Sequence, residues 1–201
     1  MANERKGMLL VVSGPSGAGK GTLCDRLLKE DAGFHFSVSV TTRAPRFNET
    51  EGVSYFFISE EKYDTLLEED AFIEHATVHG HRYGTLKSEV YKAIETGQNV
   101  ILDIDSQGAL NVMEKEPDCV SVFIMPPSYK VLEKRLYTRN TDDPVEIARR
   151  LKNARGEMEK VGNYRYAIVN DEVDAAYARL KTIVEAEKYN TKRYFPVVGE
   201  E

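Results

Sequence analysis

Met8-Leu-Leu-Val-Val-Ser-Gly14-Pro-Ser-Gly-Ala-Gly-Lys20-Gly-Thr22-Leu-Cys-Asp-Arg-Leu-Leu-Lys29 joins three textures in one stretch. Its apolar start, from Met8 to Ser13, has the length of a buried strand, and Leu23, Leu27 and Leu28 recur at helical spacing. Between them run Gly14, Pro15, Ser16, Gly17, Ala18, Gly19, Lys20, Gly21 and Thr22. Strand, glycine loop and helix in that order make a phosphate-binding loop. The glycines let successive backbone N–H groups curl around an oligophosphate, the helix aims its N-terminus at that charge, and Lys20 reaches the terminal phosphates. The pattern usually places a hydroxyl directly after the lysine, whereas here Gly21 precedes Thr22. A magnesium ion accompanying the phosphates would then be held mainly through water and phosphate oxygens, with Thr22 touching a phosphate.

Working outward, Asn99-Val-Ile-Leu-Asp-Ile-Asp105 and Cys119-Val-Ser-Val-Phe-Ile-Met125 are further apolar runs, each followed by a helix-like segment. This is the pattern of buried parallel strands with crossover helices, an α/β fold. Tyr164 to Val169 reads as a weaker strand and Glu172 to Asn190 as a closing helix. Between Phe36 and Gly84 the texture changes: Phe36-Ser-Val-Ser-Val40, Ser54-Tyr-Phe-Phe-Ile58 and Phe72-Ile-Glu-His-Ala-Thr-Val78 alternate as half-exposed strands do, which predicts a small mixed sheet inserted in the core. A second, charged insert spans about Arg135 to Arg155; in it Asn140-Thr-Asp-Asp-Pro144 reads as a turn before a helix whose first turn holds Glu146. The expected division is 1–35 core with the phosphate loop, 36–92 insert, 93–134 core, 135–156 helical insert, and 157–201 core with the closing helix, Phe195 to Glu201 being a frayed tail.

Composition excludes several classes. At 201 residues, 41% hydrophobic and 30% charged, the chain has the material for one buried core and falls outside the disordered and collagenous classes. No apolar run approaches the roughly 18 residues of a membrane span, and the N-terminus leads into only a short apolar stretch without a cleavage site, which places the protein in the cytoplasm. Cys24 and Cys119 lie far apart and read as two packed thiols in a reducing compartment. A net charge of −6 argues against a nucleic-acid coat. Yet Lys130 to Lys160 carries nine cations and six anions, a basic island that suits a localised anionic ligand as well as a solvated helical face. His75, His79 and His81 alternate along a strand, but no carboxylate or cysteine completes a metal set around them.

A phosphate loop leaves GTPases, motors and small-molecule kinases open. The rest of the chain narrows the choice through Phe36-Ser-Val-Ser-Val-Thr-Thr-Arg-Ala-Pro-Arg46, Gly52-Val-Ser-Tyr-Phe-Phe57, Phe72-Ile-Glu-His-Ala76, Tyr83-Gly-Thr85 and Ile101-Leu-Asp-Ile-Asp-Ser-Gln-Gly108. In these strings the sequence closely resembles guanylate kinases of the bacterial type, from about Met8 to Tyr189. The resemblance implies the fold of a nucleoside monophosphate kinase: a parallel-sheet core, an inserted sheet that binds GMP, and a helical lid that closes over ATP. It also implies transfer of the γ-phosphoryl group of ATP to GMP with Mg2+. Small-molecule substrates, and neither nucleic acid, membrane nor an obligate protein, are the expected partners.

The resemblance distributes roles over these residues. Arg43 and Arg46 are permanently charged forks for the GMP phosphate, with Tyr55 and Tyr83 adding phenolic donors. Glu74 accepts the ring imino proton and exocyclic amine of guanine, Ser39 and Thr85 donate hydroxyls to its carbonyl side, and Asp103 lies near the amine. Asp103 and Asp105, two apart at the end of an apolar strand, point to one face, so they could orient magnesium waters, hold the base or cap a helix. Arg135, Arg139 and Arg150 converge from the lid on the transferring group, and Asn170 lies near the adenine. Two alternatives remain: a non-catalytic module of the same family that binds phosphopeptides at Arg43 and Arg46, and a kinase taking a ribose phosphate. The intact glycine loop weighs against the first, and Glu74 with Ser39 and Thr85 against the second.

Overall fold

The computed structural model describes residues 5–47, 49–78, 80–138 and 144–196. Its centre is β1 (Leu9–Ser13), in which every residue is buried. The strand is apolar throughout because its alternate side chains enter different cores. Leu10 and Val12 pack with Leu23, Leu27, Leu180 and Val184 on one face, while Leu9 and Val11 pack with Val90, Val100, Val112 and Phe123 on the other. The first face is covered by α1 (Lys20–Glu30) and the C-terminal helix α7 (Val173–Lys188), the second by α3 (Lys87–Glu95) and α4 (Ser106–Lys115).

Five strands form the core sheet in the order β2 (Phe34–Phe36), β7 (Asn99–Asp103), β1, β8 (Val120–Met125) and β9 (Tyr166–Val169), all pairings parallel. The carboxyl ends of β1 and β7 therefore lie side by side, and the phosphate loop and Asp103 leave the sheet at the same edge. That edge is where open α/β sheets bind ligands.

The second sheet is mixed, as its texture predicts: β4 (Phe56–Phe57), β3 (Val40–Thr41), β6 (His81–Leu86) and β5 (Phe72–Val78), with β3 and β4 parallel and the other pairs antiparallel. Val40, Tyr63 and Phe72 form its own small core, Tyr63 coming from α2 (Glu60–Glu68). One expectation is corrected here. Phe36 to Val40 is not a single strand, because His35 and Phe36 pair with Val100 and Ile101 in the core sheet and the second sheet starts only at Val40. Helices α5 (Tyr129–Thr138) and α6 (Pro144–Met158) pack on each other through Leu132, Leu136, Ile147 and Ala154. Arg139, the expected turn from Asn140 to Asp143, His79 and residues 197–201 lie outside the described residues.

Candidate active site

The loop between β1 and α1 supplies the first half of the cleft. Gly19 sits at φ 94°, and a Cβ there would come within 2.3 Å of the Asn170 amide nitrogen, so glycine is required both by conformation and by space. The same Asn170 amide donates to the Ala18 carbonyl at 2.7 Å, and the Asn170 carbonyl accepts from Arg135 Nη2 at 2.9 Å. Asn170 thus couples the loop to α5. From α6, Arg150 Nη1 donates to Ser16 Oγ at 3.2 Å. Lys20 folds back, its ammonium donating to Gly14 O at 2.7 Å and to Pro15 O at 3.4 Å.

Two cavities adjoin this loop. One, of about 450 Å³, is bounded by Gly14, Ser16, Lys20, Gly21, Asp103, Asp105 and Glu157. The other, of about 550 Å³, lies beside it between Thr22, Val131, Arg135, Asn170 and Val173. Thr22 faces this second space rather than the cavity of Lys20. The cleft walls desolvate the Asp103 carboxylate and raise its pKa, with Lys20 opposing the rise. Glu157 is likewise raised by burial, with Lys20 acting against it and Asp105 adding to it. The helix-capping role left open for Asp105 is realised: its Oδ1 accepts from the N–H groups of Gln107 and Gly108 at 2.9 and 2.8 Å, closing the first turn of α4.

The second sheet supplies the other half. Glu74 on β5 stands opposite Thr85 on β6 across a register shift that follows Phe72. The Ser39 and Thr85 hydroxyls are 3.3 Å apart, so Ser39, Thr85 and Glu74 lie abreast across the sheet. Burial, reinforced by the nearby Asp105 charge, pushes the Glu74 carboxyl up to about 7, while a hydrogen bond with Thr85 acts against the rise. Gly108 lets Glu74 approach α4 this closely, since a Cβ on Gly108 would meet Glu74 Cγ at 3.3 Å.

The lifted Glu74 has a consequence for stability. Between its ordinary value near 4.5 and about 7, the folded protein holds a proton that the unfolded chain releases, so this residue's contribution to stability is full at low pH and declines as pH rises through 7. Glu74→Gln should remove that decline. Melting temperatures of the two proteins at pH 5 and pH 8 check it: the variant should gain on the wild type at the higher pH, and parallel shifts would contradict the assignment.

Further along the same sheet, Arg43, Tyr55 and Tyr83 form one cluster. Arg43 Nε donates to Tyr83 Oη at 3.3 Å, its guanidinium lies 5.6 Å from the Tyr55 ring centroid, and the two tyrosine rings meet edge-on at 5.8 Å. Arg46 is exposed at the rim. Two carboxylates escaped the sequence reading. Glu49 pairs with Arg43, and Glu157 faces Lys20's cavity from α6. The Arg46-Phe-Asn-Glu49 spacing, a turn with an acid three residues after a cation, was the available signal for the first; the second is visible only in the fold.

Residues 6–187 match the family model described as Guanylate kinase. A relative named Guanylate kinase from Caldanaerobacter subterraneus subsp. tengcongensis is 46% identical over 96% of this chain and 94% of its own length. Another of that name, from Clostridioides difficile, is 42% identical over 98% of this chain and 96% of its own. Among solved structures, a guanylate kinase from Anaplasma phagocytophilum superposes with a TM-score of 0.71 at 34% identity, covering 96% of this chain and 92% of that one. A loop, a second sheet and a helical pair arranged as above are thus accompanied by similarity across nearly the whole sequence, and the chain belongs to the guanylate kinase family.

Proposed function

We infer that this protein transfers the γ-phosphoryl group of ATP to GMP, giving ADP and GDP. The observation that carries the reading is the placement of Ser39, Thr85 and Glu74 abreast on the sheet that also bears the arginine–tyrosine cluster, with Glu74 close to Asp105, which lines the cavity of the phosphate loop. Guanine offers an imino proton and an amine side by side, and an ionised Glu74 accepts both; the two hydroxyls serve the carbonyl side. Adenine presents a lone pair where the imino proton would be, so AMP would leave the carboxylate opposed. Arg43, Arg46, Tyr55 and Tyr83 hold the acceptor phosphate.

The acceptor needs no dedicated base, because its second ionisation lies at about pH 6 and it is largely dianionic at neutrality. Catalysis is then positioning and charge neutralisation. Lys20 exchanges the Gly14 and Pro15 carbonyls for terminal phosphate oxygens. Arg135 and Arg150 approach the transferring group from the two lid helices, Arg139 being assigned the same role from outside the described residues. The larger cavity beside Asn170 takes the adenosine of ATP.

Magnesium fits the oxygen donors Asp103, Asp105 and Glu157 around the smaller cavity. Among the described residues no three such groups stand close enough to cage an ion, which suits one held chiefly by water and phosphate oxygens. Asp105, whose Oδ1 is committed to the α4 cap, would engage it through water. When bound, the cation neutralises charge on the β- and γ-phosphates.

No helix among the described residues is long and apolar enough to cross a membrane. Cys24 and Cys119 are free and buried, in keeping with a reducing cytoplasm. Relatives named as kinases leave the phosphopeptide module and the ribose phosphate kinase unfavoured. A coupled assay of ADP formation with GMP, AMP, UMP and ribose phosphates tests the reading. Turnover should be confined to GMP and close analogues of it, and equal rates with AMP would refute it.

A further inference from the structure

The two arginines assigned to the acceptor phosphate share one carboxylate. Glu49 accepts from Arg43 Nη2 with both oxygens, at 2.8 and 3.0 Å, and its Oε2 also accepts the backbone N–H of Arg46 at 2.8 Å. The Glu49 N–H returns to the Arg46 carbonyl at 3.0 Å, so side chain and turn close on each other. The ion pair is well sheltered, the Arg43 and Glu49 side chains being 12% and 14% exposed.

Counting donors shows what this leaves for a ligand. A guanidinium has five N–H groups. On Arg43 the Nε group goes to Tyr83, one Nη1 group to the Ala44 carbonyl at 2.8 Å, and Nη2 to Glu49. At least one hydrogen, the second on Nη1, remains for an incoming oxygen. Tyr83, because it accepts from Arg43, keeps its own phenolic proton to donate. The guanidinium is thus held in its plane on three sides, and the Tyr83 hydroxyl beside Nε is a further donor.

Two roles are conceivable for such a carboxylate: an occupant that the phosphate must evict, or a brace that stays. Eviction would break the bond to the Arg46 backbone as well as those to Arg43, and would leave an unpaired carboxylate beside a phosphate dianion. Retention costs only the partial cancellation of one positive charge. We propose that Glu49 is a positioning residue for the acceptor phosphate, remaining on Arg43 and the Arg46 turn while the phosphate docks on the donors of this cluster that Glu49 leaves open. The proposal rests on the reading of the Arg43 cluster as the GMP phosphate site.

The test compares wild type, Glu49→Ala, Glu49→Asp, Arg43→Ala and the Glu49→Ala, Arg43→Ala double variant. It uses steady-state kinetics with GMP varied, binding titrations with GMP and with guanosine, and melting temperatures. Glu49→Ala should raise KM for GMP about tenfold while kcat and KM for ATP stay within about twofold, the pattern of lost uniform binding. Glu49→Asp, which keeps a carboxylate, should lose less. Guanosine, having no phosphate, should bind the alanine variant as it binds the wild type, and the alanine change should cost less once Arg43 is gone, the remainder being its hold on the Arg46 turn. An unchanged or lowered KM for GMP would overturn the proposal, the lowered value marking Glu49 as a competitor. Equal weakening for guanosine would overturn it as a general loosening of the sheet. If the alanine variant melts too low to assay, the same contrast between GMP and guanosine is read in the aspartate variant. If Arg43→Ala itself leaves KM for GMP unchanged, the assignment of the acceptor site has failed, and the role of Glu49 with it.

Discussion

Lys20→Ala is expected to lower kcat by about 100- to 1,000-fold, the usual cost of removing one donor aimed at charge that develops in the transition state. The fold should survive. The ammonium is satisfied by the Gly14 and Pro15 carbonyls, both of which belong to a loop that water can reach from the adjoining cavity. Losing that contact costs about 1 kcal/mol, or about 2–4 °C in Tm for a chain of this size. Single-turnover rates beside a thermal melt separate the two effects. A rate within about tenfold of wild type would remove Lys20 from the reaction, whereas collapse of the melt would make it a structural residue.

Glu74→Gln should have the next largest effect, lowering kcat/KM for GMP on the order of 100-fold because the amide offers one acceptor where guanine presents two donors. Binding of ATP, on the other side of the cleft, should be unchanged. The pH profile gives a second handle. With Glu74 lifted to about 7, only the deprotonated enzyme reads the base, so wild-type kcat/KM for GMP should climb as pH rises through 7 and then level off. The glutamine variant should lack that step. A variant with full GMP efficiency, intact discrimination against AMP and the same profile would show that the base is read elsewhere.

How much of this was legible in the sequence depends on whether a residue's partner is near in the chain. The strand Leu9–Ser13 could be read because it is buried on both faces and therefore apolar without interruption. The loop could be read because glycines and a lysine at fixed offsets have few other uses. The stretch from Phe36 to Val40 cannot be divided from sequence, since alternation shows that a strand has two faces and not which sheet supplies its neighbour; here Ile101 of the core sheet does so for Phe36. The helix Glu60–Glu68 lies outside the expected elements although Ser59 accepts from the Lys62 N–H, a local cap that the sequence displays. Asp105 is ambiguous in the sequence among metal, base and cap because all three need a carboxylate at the end of a strand. Glu157 lies some 50 residues from Asp105 and meets the same cavity only through the packing of α6.

The placement of β1 at the centre of the core sheet bears on the order in which the chain can mature. This strand is among the first made, yet its neighbours, Asn99–Asp103 and Val120–Met125, come from the middle of the sequence and beyond. Chains commonly fold from the N-terminus as they are synthesised, at about 5–20 residues per second. This one cannot, because its oldest apolar segment has no partner on either side until Asn99 and then Val120 have left the ribosome. The hairpin of β5 and β6, joined through Gly80, closes locally and needs no such wait. The acceptor half of the cleft can therefore be paired while the ATP half is still an exposed, strand-prone segment. Synthesis thus keeps Met8 to Ser13 open to chaperones and to aggregation until its strand partners emerge, by which time the second sheet can already have paired.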